Sequence, residues 1–217
     1  MHKIDWWRAE ISAQQCEHPL SQLLASALTN NQQLSGQLLD ALNGYADLLQ
    51  FGSPSTDEAN KLFHWSTGAV ACLALTGVEN TTDNPVARAG VALSRFRCWR
   101  FLPNHINAKL LCLPLSVLEA NDVSPVQLQP GSEEPALNTF FERELLALNT
   151  EMESTAKALL VAGAATRPLY VYFRSQQQVL KKMISAGSNL LAQPLRLSPL
   201  RNYFNAFSAA RQHYRHN

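Results

Sequence analysis

Apolar residues in this chain of 217 residues recur at helical spacing instead of alternating, and that period marks amphipathic helices, not strands. The clearest case is Leu137, Phe140, Phe141, Glu144, Leu145, Leu148, Met152, Thr155, Ala156 and Leu159. It follows the i, i+3, i+4 rule over about six turns. Pro19 fits the first turn of a helix running toward Asn31, and a second helix covers Gln32 to Phe51, ending at Gly52-Ser53-Pro54. Ser55 or Thr56, followed by Asp57 and Glu58, caps the next helix, with acids where the dipole favours them. That helix runs through Leu62, Trp65, Ala69 and Leu73 toward Gly77. After the polar loop Glu79 to Pro85, Val86 to about Leu102 returns to helix and Pro103 is expected to stop it. Pro125 to Pro135, with three prolines and a glycine, reads as a connecting loop. Two further helices, near Leu169 to Ala186 and Leu197 to Tyr214, finish the chain. The expectation is an all-α bundle of about eight helices, with any site between facing helices.

With 46% hydrophobic residues, one domain spanning residues 1–217 can bury about 70% of its unfolded surface without a disulfide or metal. Cys16, Cys72, Cys98 and Cys112 are widely spaced and form no C-x-x-C pair, which points to a reducing compartment. The N-terminal Met-His-Lys-Ile-Asp-Trp-Trp-Arg lacks the apolar run of about 7 to 15 residues that a secretory signal needs. The longest apolar stretch, Thr67 to Val78, falls short of the roughly twenty residues that cross a bilayer. A cytoplasmic protein is expected, with any membrane contact peripheral, at the inner membrane face.

Charge changes this picture, because near-neutrality hides segregation. The formal net charge is +1, yet residues 1–83 sum to −6, 84–118 to +5, 119–153 to −7 and 154–217 to +9. The last block, whose basic helices span about 166–214, holds nine bases and no acid. Clustered Lys and Arg attract phosphate-bearing ligands or anionic lipid, at about 1 kcal/mol per residue close to an anionic surface. Nucleic acid is not an expected partner, since the basic segments lack the interleaved aromatics that stack bases.

Few motifs carry chemistry. There is no G-x-S-x-G, no G-x-x-x-x-G-K-[ST] and no G-x-G-x-x-G, so serine-hydrolase, P-loop and Rossmann readings lack their starting residues. Glu79 and Asp83 are four apart but lie in a loop rich in Thr and Asn, and Asp40 and Asp47 are explained by a solvated helix face. Arg97 and Arg100 are three apart and share a face, where two guanidinium groups could grip a phosphate. The plainer reading is that they pair with acids on a neighbouring helix, from the −7 block. His213 and His216 read as part of a frayed basic tail. Gly68, Ala69, Ala71 and Ala74 suit either an apolar tunnel or close helix packing.

The stretch from Ala92 to Ser124 resembles the second signature of squalene and phytoene synthases, A-L-Q-L-x-N-x-x-R-D-x-x-x-D followed by Y-L-P-x-x-x-L. Anchored on Leu113-Pro114, Cys112 takes the place of the Tyr, Arg100 of the Arg, Arg97 of the Asn and Ser94 of the Gln. The two aspartates fall on Phe101 and His105. Trp6 to Glu10 with His18-Pro19, Leu42 to Leu48, His64 to Val70, Pro168 to Ile184 and Arg196 to Leu200 are similar to other family blocks in the same order.

The resemblance implies an isoprenoid-synthase-like helical fold, here short at its N-terminus relative to the family. It also implies Mg²⁺, held by two banks of aspartates against an isoprenoid diphosphate. The first aspartate motif of the family lies on a helix before the segment where this chain begins, and the second is replaced. No metal site, no cofactor and no catalytic residue are therefore expected. Arg97 and Arg100 become candidates for diphosphate binding, and Asp47, Gly68, Val70 and Ser94 for lining the cleft. The resemblance further implies an accessory protein that binds isoprenoid or lipid or a protein partner. The family includes mitochondrial factors that assist assembly of respiratory complex I. The alternative is a prenyltransferase acting on farnesyl or geranylgeranyl diphosphate, with a partner chain supplying the missing aspartates.

Overall fold

The computed structural model describes residues 2–12, 17–19, 22, 35–36, 38–39, 42–43, 46, 84–108, 115–129, 135–185 and 198–216. All regular structure among them is helical, as the periodicity predicts. In chain order the elements are α1 (His2–Ser12), α2 (Pro85–Arg100), α3 (Leu102–Asn107), α4 (Leu115–Glu119), α5 (Pro135–Val161), α6 (Arg167–Ser185) and α7 (Pro199–His216). Single 3₁₀ turns occupy Pro125–Gln127 and Ala164–Thr166.

α2 begins where its sequence says it should. Asn84 caps it by accepting from the Val86 N–H at 2.9 Å, and Pro85 fills the first turn, where no amide partner is needed. Its buried residues Val86, Ala89, Leu93 and Phe96 form one stripe at helical spacing. The expected stop at Pro103 is corrected. Phe101, with φ −110° and ψ 19°, ends α2, and Pro103 sits in the first turn of α3. A proline there removes an amide that the new helix would leave unpaired anyway, so it redirects the chain instead of ending the helical run. α1 is a helix the hydrophobic pattern does not announce. Pro19, Gln22 and the described residues between 35 and 46 are helical too. The helix expected at about 56–77, with its apolar stretch, lies outside the described residues.

α5 is the centre of the bundle. At about 1.5 Å per residue its 27 residues span about 40 Å, and it packs on α2 and on α6, while α6 also holds α7. Phe140, Phe141, Leu145, Leu148, Met152, Ala156 and Leu159 are all buried along it. Trp99 of α2 meets Phe140 and Phe141 edge-on, with centroids 6.0 and 5.6 Å away, a geometry that aromatic quadrupoles favour. Pro125–Gln127 ties down the connecting segment. There Ser124 and Gln127 cap each other, the Ser124 N–H donating to Gln127 Oε1 at 2.7 Å.

The turn from α5 to α6 depends on Gly163, whose φ of 101° with ψ of 178° is a conformation open essentially to glycine alone. Thr166 is buried and its hydroxyl lies 3.0 Å from the Leu159 carbonyl oxygen, closing the end of α5. α6 then buries Leu169, Tyr170, Phe173, Gln177 and Leu180 against its neighbours.

Candidate functional site

Residues two apart on a helix point about 200° away from each other, and α5 uses that rotation to divide its acids. Glu151 accepts from Arg95 of α2 at 2.5 Å, and Glu153 accepts from Lys181 of α6 at 2.7 Å. The acidic block is thus set between the two basic ones. Part of the segregated charge is answered inside the fold, and the Lys181 bond holds the Glu153 carboxyl below its usual range. The acidic block does engage an arginine of α2, but it is Arg95 and not the candidate pair.

Arg97 is exposed, and among the described residues it makes no ion pair. Arg100, one turn on, is half-buried. Its Nη1 donates to Gln176 Oε1 of α6 at 3.2 Å, and its guanidinium lies 5.3 Å from the centroid of the Phe101 ring. Burial lowers its pKa and the nearby Tyr172 opposes that shift, although a guanidinium stays charged throughout. Nε of Arg100 is buried with no hydrogen-bond partner among the described residues. The two arginines therefore leave α2 in different environments, one in solvent and one clamped between α2 and α6.

Ser94, a candidate for lining the cleft, donates its hydroxyl to the Gly90 carbonyl at 2.8 Å within its own helix. Asp47, Gly68 and Val70 lie outside the described residues, as do the pairs Glu79 with Asp83 and Asp40 with Asp47. Phe101 and His105 are both half-buried. Phe101 stands at the break and His105 on α3, so no single uninterrupted helix carries the two positions.

Would a magnesium ion fit there? The Phe101 ring offers no oxygen, and the His105 imidazole is a poor ligand for so hard a cation. The Arg100 guanidinium beside Phe101 adds a positive charge where a cation would have to sit. These residues do not fit the ion. Among the described residues no group of three His, Cys, Asp or Glu side chains could hold a metal.

Other polar groups emerge only from the packing. Gln177 is fully buried on α6, accepting from Arg174 at 2.5 Å and donating to Asn149 of α5 at 3.5 Å. Gln176 and Tyr172, the surroundings of Arg100, lie in an ordinary polar run whose spacing alone does not distinguish them. The frayed-tail reading of His213 is corrected: it is fully buried, its Nδ1 faces Arg167 Nε at 3.5 Å, and its ring packs 5.2 Å from that of Tyr170.

No curated protein gives a match. The family model described as squalene/phytoene synthase matches residues 1–201, almost the whole chain, and the helical architecture agrees with it. The chain belongs to the squalene/phytoene synthase family.

Proposed function

We propose that this chain is a family member without the family's metal-dependent catalysis, acting as an isoprenoid- or lipid-binding accessory protein. The observation that carries this reading is the pair of positions where the family has its second two aspartates. Phe101 and His105 occupy them, with the Arg100 cation packed on the Phe101 ring. Ionising an allylic diphosphate needs a metal to neutralise the charge that develops on the leaving group. A phenyl ring and an imidazole beside a guanidinium do not assemble that metal. Arg97 and Arg100 still offer positive charge to a diphosphate, so binding without turnover is the expected behaviour.

The test is pyrophosphate release from farnesyl and geranylgeranyl diphosphate with and without Mg²⁺, alongside calorimetric binding of the same compounds. Binding with no release supports the reading. Metal-dependent release overturns it and makes the chain a prenyltransferase, and the absence of both binding and release removes the isoprenoid from the account.

A further inference from the structure

α7 carries its side chains the wrong way round for an ordinary surface helix. Leu200, Tyr203, Phe204, Phe207 and Tyr214 are 73, 68, 65, 59 and 74% exposed. At about 100° per residue these five fall within an arc of about 100°. The opposite side of the helix, packed on α6, holds the small Ala209 and the polar His213, both buried. The large apolar groups thus face outward. They are joined by exposed Arg201, Arg211 and Arg215, and no acid occurs anywhere from residue 154 to the C-terminus.

We infer that the outward face of α7 docks flat on an anionic lipid surface. Three observations choose this occupant. Contrary to the expectation from sequence, this last basic segment does interleave aromatic rings with its arginines, and that pairing suits the boundary between headgroups and acyl chains, where rings insert about 5–10 Å and the cations meet lipid phosphates. The charge on the face is of one sign, so nothing on the helix opposes an anionic bilayer. No described helix is long and apolar enough to cross a membrane, so the contact lies on the surface and does not span it. The outer tyrosines, Tyr203 and Tyr214, place a phenolic oxygen where headgroup water can reach it. The inward anchoring of the helix stays intact during this contact, because Arg167 holds His213 from the other side.

This surface does not rest on the loss of catalysis, and a pyrophosphate assay leaves it unmoved either way. The full chain is sedimented with vesicles of phosphatidylcholine containing about a third phosphatidylglycerol, and with phosphatidylcholine alone. Binding is expected to the anionic vesicles and to fall steeply between low and high salt. Phe204→Ser with Phe207→Ser should abolish it with an unchanged helical circular dichroism spectrum. Each of Arg201→Gln, Arg211→Gln and Arg215→Gln should weaken it about fivefold, the equivalent of about 1 kcal/mol per cation. Equal affinity for neutral vesicles, or none for anionic ones, overturns the inference. So does a vesicle-free dimer that the double serine variant turns into monomer, which would make the face a contact between two copies.

Discussion

Arg95 of α2 and Glu151 of α5 meet at 2.5 Å across the interface on which the bundle is built, each side chain about 30% exposed. Partial exposure screens such a pair, so its worth is set by geometry more than by Coulomb's law. A double-mutant cycle of Arg95→Ala and Glu151→Ala should return a coupling of about 0.5–1 kcal/mol by urea denaturation, smaller in 1 M salt. A coupling near zero at low salt would mean that the two groups are neighbours without being partners.

Arg97 and Arg100 should separate cleanly. Arg97→Ala removes an exposed side chain and should leave stability within about 0.5 kcal/mol. Arg100→Ala loses the bond to Gln176 and the stacking on Phe101, which together should cost about 1–2 kcal/mol. If the pair grips a diphosphate, the double variant weakens calorimetric binding of pyrophosphate while its circular dichroism spectrum stays helical. Unchanged affinity would assign both arginines to structure alone.

Gly163→Ala should destabilise the protein by about 1–3 kcal/mol through backbone strain alone. A Cβ built there meets nothing within 4 Å, so no clash contributes. An unshifted denaturation midpoint would show that the turn relaxes to another conformation.

Alkaline pH should act through Tyr170, which is 1% exposed and whose pKa burial raises, with nearby Arg174 opposing. The folded pKa exceeds the unfolded value of about 10, so the folded state holds its proton longer. Stability is then fully present below pH about 10 and falls as pH rises through the folded pKa. Tyr170→Phe should flatten that decline, and a decline of equal slope in the variant would place its origin in other groups.

The sequence discloses α5 most clearly, because Phe140, Phe141, Leu145, Leu148, Met152, Ala156 and Leu159 repeat at helical spacing and all seven are buried. Pro103 misleads because the same missing amide ends one helix and suits the first turn of the next. α1 escapes because adjacent Trp6 and Trp7 give no stripe. Which of Arg95, Arg97 and Arg100 faces an acid depends on how α2 is rotated against α5, and no local spacing fixes that. His213 resembles a tail residue until Arg167, 46 positions away, is folded against it. At the site, Phe101 and His105 stand out through the resemblance of their stretch to the family signature, whereas the break at Phe101 and the pairing of Arg100 with Gln176 are properties of packing.

The division of acids along α5 also has an electrical meaning for the whole molecule. Glu151 and Glu153 are absorbed by Arg95 and Lys181, while the three arginines of α7 point outward with no acid on their own helix. Among the described residues this leaves α7 as a patch of positive charge with no acid on its own helix, in a chain of net charge +1. If α7 docks on an anionic surface as inferred, such a patch is drawn toward it before contact, which favours approach with α7 forward. Orientation would then be settled during approach, over a range set by the Debye length of about 8 Å at physiological salt.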